Sequence, residues 1–230
     1  MRENDTAKAI LRTRGRVPIF PLPDVVLFPH VTLPLHIFEP RYRTMIEEAL
    51  RGDRMIAMVL LKPGWEAGYG GIPEVFQIGC AGLIEDEVRL PDGRFNIRLR
   101  GLSRVEIREF VQDQPYRVAS VRMLIDLNED GGPGVEEEKR SLLGACASLL
   151  QEMSGLPSHP FALDAGVPLA SIVNALSQNL ALDTDAKQEL LETGDVVLRC
   201  RRLAAMLNER WRDLALLKAG QIPSGQDGVH

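Results

Sequence analysis

Residues 20–42 read FPLPDVVLFPHVTLPLHIFEPRY, setting strand-forming Val, Leu, Ile and Phe among five prolines: Pro21, Pro23, Pro29, Pro34 and Pro40. A proline has no N–H to give to a ladder, so it belongs at strand starts, edges and bulges. An apolar stretch interrupted this often describes strands that bend sharply and change neighbours, as at the corners of a small closed barrel. The stretch runs on into EPRYRTMIEEALRGD, which reads as one amphipathic helix. Pro40 stands in its first turn, Tyr42, Met45, Ile46 and Ala49/Leu50 form the apolar stripe, and Gly52 ends it.

Downstream, the pattern stays β-rich to about Ile125. RMIAMVLL (54–61) is short and apolar enough to be buried on both faces. In GRFNIRLRG (93–101), Phe95, Ile97 and Leu99 alternate with polar residues, the period of a strand with one wet face. Asp92-Gly93 supplies a hairpin turn back to FQIGCAGLIEDEVRL. The apolar phase continues past Gly101 through Val105 and Ile107, so Gly101 is expected to mark a bend or bulge in one long strand. YRVASVRMLI (116–125) is a further strand.

Residues 128–134 carry clustered Gly, Pro and acid and read as a linker. From Val135 to Ala219 the periodicity is helical. VEEEKRSLLGACASLLQEM has acids in its first turn, where the helix dipole favours them. PLASIVNALSQNLAL and DTDAKQELLET follow, the latter with Asp183 as a cap. A last helix runs from about Asp195 to Lys218, with a seam of Cys200, Leu203, Leu207, Trp211, Leu214 and Leu217. The domain plan is therefore a flexible segment 1–16, a β-barrel subdomain 17–127, a linker 128–134, a helical bundle 135–219 and a disordered tail 220–230.

Bulk properties narrow the function. A chain of 230 residues buries enough surface to fold without disulfides. Cys80, Cys146 and Cys200 are far apart and in no CxxC arrangement, which fits a reducing cytoplasm and no zinc site. A net charge of −5 argues against a broad phosphate-binding surface, so nucleic acid is not the expected partner. No signal peptide and no membrane span is read. His30, His36 and Glu39 lie close in sequence, but no fourth ligand joins them, and no metal or cofactor is expected. No nucleophile signature such as GxSxG is present.

The residues that carry a family likeness are FPLPDVVLFPHVTLPLHIFEPRY, ALRGDRMIAMVLL, EVFQIGCAGLIEDEVRLPDGRFNIRLRGLSRVEI and LASIVNALSQNLALDTDAKQELLETGDVVLRCRRL. Together, over about residues 17–217, they resemble the amino-terminal, substrate-binding domain of Lon proteases, as found also in free-standing Lon-domain proteins of bacteria. The resemblance implies an α+β protein: a PUA-like, mainly antiparallel β-barrel with one packed helix, followed by an α-helical bundle. It also implies recognition of polypeptide substrates. Neither a GxxxxGK[ST] phosphate loop nor room for a protease domain is present, so ATP hydrolysis and proteolysis do not carry over.

Within that frame, the loop KPGWEAGYGGIPE (62–74) sets Trp65 and Tyr69 among glycines. Rings on a flexible loop grip an extended chain at low entropic cost, or else fold back over a barrel mouth. The expected polypeptide contacts are Trp65, Tyr69 and Phe76, with Phe28, Leu35 and Ile37 as neighbours that also suit the core. Trp211, Leu214 and Leu217 form an expected partner surface on the last helix, for a second copy or a separate ATPase or protease. Arg98, Arg100 and Arg104 in phase predict a solvated positive stripe. The reading is a non-enzymatic module binding unfolded or apolar polypeptide segments; the alternative is a small-molecule or RNA-binding regulatory module using the barrel.

Overall fold

The computed structural model describes residues 15–68, 72–128, 134–154, 166–218 and 220. Most of the expected segments 1–16 and 220–230, and most of the linker, lie outside the described residues. The chain groups into two compact units. One takes the residues up to Asp126 together with Asn174–Gly194; the other takes Leu127–Val173 and Asp195 onward.

The first unit is built on a six-stranded mixed sheet: β1 (Arg16–Leu22), β2 (Thr32–Ile37), β3 (Met55–Leu60), β4 (Ile78–Arg89), β5 (Phe95–Gln112) and β6 (Arg117–Met123). The order is β2-β5-β4-β3-β1-β6, and β6 also pairs with β5. The hydrogen-bonded pairings thus run in a circuit from β5 through β4, β3, β1 and β6 back to β5, with β2 attached outside it. β1 and β3 are parallel; the other pairs are antiparallel.

Two prolines of β1 fall where the strand changes neighbours. Pro18 pairs with Val118 of β6 and Pro21 with Val59 of β3, and β1 passes from one partner to the other around Ile19. Each proline therefore faces a ladder on one side only, where its missing donor costs nothing. Pro40 opens α1 (Pro40–Arg51), whose Tyr42, Met45, Ile46 and Ala49 are buried; Gly52 closes it with N–H bonds to Ala49 and Glu48. Glu39 occupies the N-cap position without a side-chain cap bond, and its carboxylate holds Arg41, 2.9 Å away.

All of β3 is buried because the sheet has a core on each face. Ile56 and Met58 join Tyr42, Met45, Ile46, Phe95, Ile97 and Leu99 on the α1 side. Met55, Ala57 and Val59 join Val17, Ile19, Leu102, Val105 and Ile107 on the other. Each fully buried side chain of this size contributes about 1.5–3 kcal/mol.

That division corrects the phase expected for β5. Phe95, Ile97 and Leu99 serve one core, while Val105 and Ile107 serve the opposite one. The register shows why: Gly101 faces Gly82 and Ser103 faces Ala81, so Leu102 is an inserted residue. One inserted residue inverts every side chain beyond it. The backbone of residues 28–31 closes onto the bulge, with His30 N–H donating to Gly101 O at 2.9 Å and Gly101 N–H to Val31 O at 2.8 Å. A Cβ on Gly101 would stand 2.1 Å from Phe28 O, so no other residue fits without movement. Asp92-Gly93 forms the expected hairpin turn, with Gly93 at φ +80°.

Four more helices follow: α2 (Val135–Ser154), α3 (Leu169–Asn179), α4 (Thr184–Glu192) and α5 (Val196–Lys218). The sequence plan assigns 135–219 to one bundle, whereas the chain returns to the first unit over Asn174–Gly194. Named bonds hold it there. Gln188 Nε2 donates to Ile78 O at 3.0 Å, and Gln178 Oε1 accepts from Phe28 N–H at 3.1 Å. Arg104, 3% exposed, pairs with Asp126 and donates from its guanidinium to Leu191 O at 3.3 Å.

In the second unit α2 and α5 run parallel. Glu138 meets Arg201 at 2.6 Å near their starts, and Glu152 meets Lys218 at 2.9 Å near their ends. Leu142, Cys146 and Leu149 face inward from α2, and Cys200, Leu203 and Leu207 from α5. Asp195 caps α5 through Leu198 N–H at 3.0 Å.

Candidate functional site

The first unit carries an open cleft of about 710 Å³, counting the space on its solvent side. Its walls come from four separate places: the end of β1, the start of α1, the loop after β3, and the β5–β6 turn. Pro21, Pro23, Pro73 and Pro115 line it, together with Tyr42, Tyr116 and Trp65. Trp65 opens a single 3₁₀ turn (Trp65–Gly68) and is half-buried, leaning against the core that β1 and β3 share. Ile72, on the far side of the loop, is 53% exposed.

The tyrosines are fixed from behind. Tyr42 stacks edge-on against Phe20, with centroids 4.7 Å apart, and Arg41 lies over its ring at 4.6 Å. Tyr116 donates its hydroxyl to the Glu48 carboxylate of α1. Burial, reinforced by that carboxylate, pushes the phenol above the ordinary tyrosine range. Arg117 lies over the Phe110 ring at 4.1 Å and donates to Pro73 O at 2.9 Å. Burial holds its guanidinium below the ordinary arginine value, opposed by Asp113, 3.8 Å from Nε. Each arginine on the wall thus stands beside a carboxylate, and the cleft carries no net charge.

The expected contact residues do not converge. Trp65 lines the cleft, and Tyr69 lies outside the described residues. Phe76 is half-buried beyond the cleft, its N–H given to Leu60 O at 2.9 Å. Phe28 and Ile37 are 0% and 1% exposed; they are core and present no surface to a ligand. Leu35 lines a different, shallow depression with Pro34, His36, Val88 and Asn96, over the ends of β2, β5 and β4. Tyr42, Tyr116, Ile72 and the cleft prolines are the residues that the sequence reading missed. The signal available was DQPY at 113–116, a polar turn ending in proline and tyrosine directly before a strand.

β2 is an edge strand, yet a poor template for an added strand. Val31 O accepts from Gly101 N–H. By alternation, Leu33, Leu35 and Ile37 then bond to β5, and Thr32, Pro34 and His36 turn their backbone groups outward. Pro34 offers no N–H, which leaves the outward donors of Thr32 and His36 about 13 Å apart.

The arginine stripe is corrected as well. The bulge at Leu102 puts Arg104 on the opposite face from Arg98 and Arg100, and it is buried. Arg98 meets Asp86 at 3.1 Å, and Arg100 meets Glu85. His36 bonds Asn96 at 2.7 Å, while His30 sits in a turn at φ 66°. Among the described residues no group of three or more His, Cys, Asp or Glu is placed to hold a metal ion. All three cysteines are buried, and burial pushes the Cys80 and Cys200 thiols up to about 12. Among the described residues no helix is long and apolar enough to cross a membrane.

The mixed sheet and the helical second unit together form an architecture known from other proteins. Residues 16–209 match the ATP-dependent protease La (LON) substrate-binding domain, and the chain belongs to that family. It is 30% identical over 209 residues to the Lon protease of Desulfosudis oleivorans, covering 89% of this chain and 25% of that one. With the Lon protease of Parabacteroides distasonis it shares 28% identity over 233 residues, or 98% and 28% of the two chains. The chain thus spans about a quarter of the length of these relatives.

The fold is shared with solved structures, two of which show the likeness. The Lon N-terminal domain protein from Xanthomonas campestris superposes with a TM-score of 0.58 at 24% identity, covering 83% of this chain and 97% of its own. The N-terminal domain of the Mycobacterium avium complex Lon protease gives 0.63 at 16% identity, covering 86% and 98%.

Proposed function

We propose that this chain is a non-catalytic recognition module that holds unfolded or apolar polypeptide segments in the cleft of its first unit. In this reading the circuit of strands is a closed, PUA-like barrel, and the cleft opens on its flank. The observation that carries the proposal is the cleft wall itself: a half-buried Trp65, partly exposed prolines and the edges of two largely buried tyrosines, with its charges paired. Such a wall rewards contact with apolar side chains and offers little to a phosphate backbone. The pairing of Arg98, Arg100 and Arg104 with carboxylates weighs in the same direction against RNA. The family's description as a substrate-binding domain agrees with it, and a cytoplasmic setting suits three buried free thiols.

The test uses a labelled, carboxymethylated polypeptide that cannot fold, followed by fluorescence anisotropy. Trp65→Ala is expected to weaken its binding about tenfold or more, as loss of an aromatic anchor does. Raising salt from low to physiological levels should change the affinity little. Unchanged affinity in Trp65→Ala removes the proposal.

A second contact surface belongs to the same reading. At the end of α5, Trp211 is 37% and Leu217 49% exposed, with Leu214 half-buried between them. We assign this apolar end to a protein partner, either another copy or a chain carrying the ATPase or protease. Leu217→Glu should lower the mass seen by light scattering or abolish co-purification of the partner; a variant indistinguishable from the parent in both removes the assignment.

A further inference from the structure

We infer that the segment the cleft takes is one in the polyproline conformation, proline-containing and uncharged over its central residues. This rests on the cleft being the polypeptide site and narrows what that site accepts.

Two modes of holding an extended chain compete. Strand addition needs a row of free backbone donors and acceptors on the receiving side. Among the described residues, the lining offers no such continuous row. Pro21, Pro23, Pro73 and Pro115 have no N–H to offer. Leu61 N–H is already given to Leu22 O at 2.9 Å. Pro73 O is taken by Arg117, and Tyr116 O accepts from Gln112 Nε2 at 3.1 Å. A strand laid here would bury its own amides without partners, at about 1–3 kcal/mol for each group.

A polyproline helix avoids that loss. It makes no internal hydrogen bonds, its backbone stays solvated, and its residues repeat three to a turn of about 9 Å. Its flat imide faces match rings, which is how aromatic-lined grooves receive such segments. Trp65 provides a half-buried ring at the cleft, and Tyr42 and Tyr116, each 6% exposed, add only the edges of rings otherwise packed in the core. Charge complementarity points the same way. Arg41 is held 2.9 Å from Glu39, Asp113 stands 3.8 Å from Arg117, and the Tyr116 hydroxyl is committed to Glu48. A wall whose charges are balanced from within is complementary to an uncharged segment, since a charge brought here would be desolvated without a partner.

The experiment compares three end-blocked, fluorescein-labelled peptides of equal length on the full chain, read by anisotropy. The first repeats Pro-Leu-Pro-Ala, the second repeats Val-Thr, and the third is the first with glutamates at its centre. The proline peptide should bind about tenfold more tightly than either of the others. Trp65→Ala and Ile72→Asp should each reduce that affinity about tenfold; Ile72 is a surface residue, so its variant keeps the fold.

A Val-Thr peptide that binds equally well, and loses affinity in both variants, overturns the polyproline assignment and leaves the polypeptide site standing. So does failure of all three peptides while the unfolded polypeptide still depends on Trp65. Indifference of every ligand to both variants overturns the site itself.

Discussion

Arg104→Ala is expected to destabilise the protein by about 3–5 kcal/mol, because it strands the Asp126 carboxylate in a buried site. The pair is 3% and 6% exposed, and the same guanidinium bonds the Leu191 carbonyl at the end of α4. Removing it therefore undoes both a charge balance and a tether between β5 and the Asn174–Gly194 segment. Urea unfolding should show the loss, and hydrogen exchange should quicken most at Gln188–Glu192. Replacing both partners, as Arg104→Met with Asp126→Leu, should recover much of the stability, since an apolar pair leaves no buried charge. A loss below about 1 kcal/mol in Arg104→Ala would mean an arginine in water, as strand alternation alone predicts.

Gly101→Ala is expected to cost about 3 kcal/mol or more. The added methyl would stand 2.1 Å from Phe28 O and 3.2 Å from Cys80 Sγ, and backbone yields less readily than a flexible side chain. The substitution forces apart the two segments joined by the His30–Gly101 and Gly101–Val31 bonds. Thermal unfolding should fall by about 6–12 °C for a chain of this size. A change of a degree or two would show that the 28–31 segment is free to move, and that the bulge is not the rigid corner described above.

These two residues also mark the limit of what the sequence discloses. The Asp92-Gly93 hairpin and the two-sided burial of β3 follow from local chemistry: a turn dipeptide in one case, an unbroken apolar run in the other. The inversion at Leu102 does not. An inserted leucine beside a glycine leaves apolar residues at 99, 105 and 107, so the alternation reads as continuous although the faces have exchanged. Arg104 then passes for one of three solvated arginines, and its link to Leu191, 87 residues away, has no local signal.

The cleft divides in the same way. Trp65 is conspicuous as a ring in a glycine-rich loop. Tyr42 reads as helix stripe and Tyr116 as the start of a strand, and both descriptions are true; only the meeting of α1 with the β5–β6 turn gives their edges a second use. Phe28 and Ile37 err in the opposite sense, because an apolar residue in a proline-rich stretch looks the same whether it faces a ligand or a core.

The central claim is that polypeptide is held at this cleft and nowhere else on the first unit. A photoreactive benzoylphenylalanine in place of Ile72, set against the same residue in place of Val88, tests it directly. Val88 is 58% exposed but lines the depression beside β2. With a labelled unfolded polypeptide and light, the account predicts a strong crosslink from position 72 and a background signal from position 88. Crosslinking from position 88 alone, or equally from both, would contradict it.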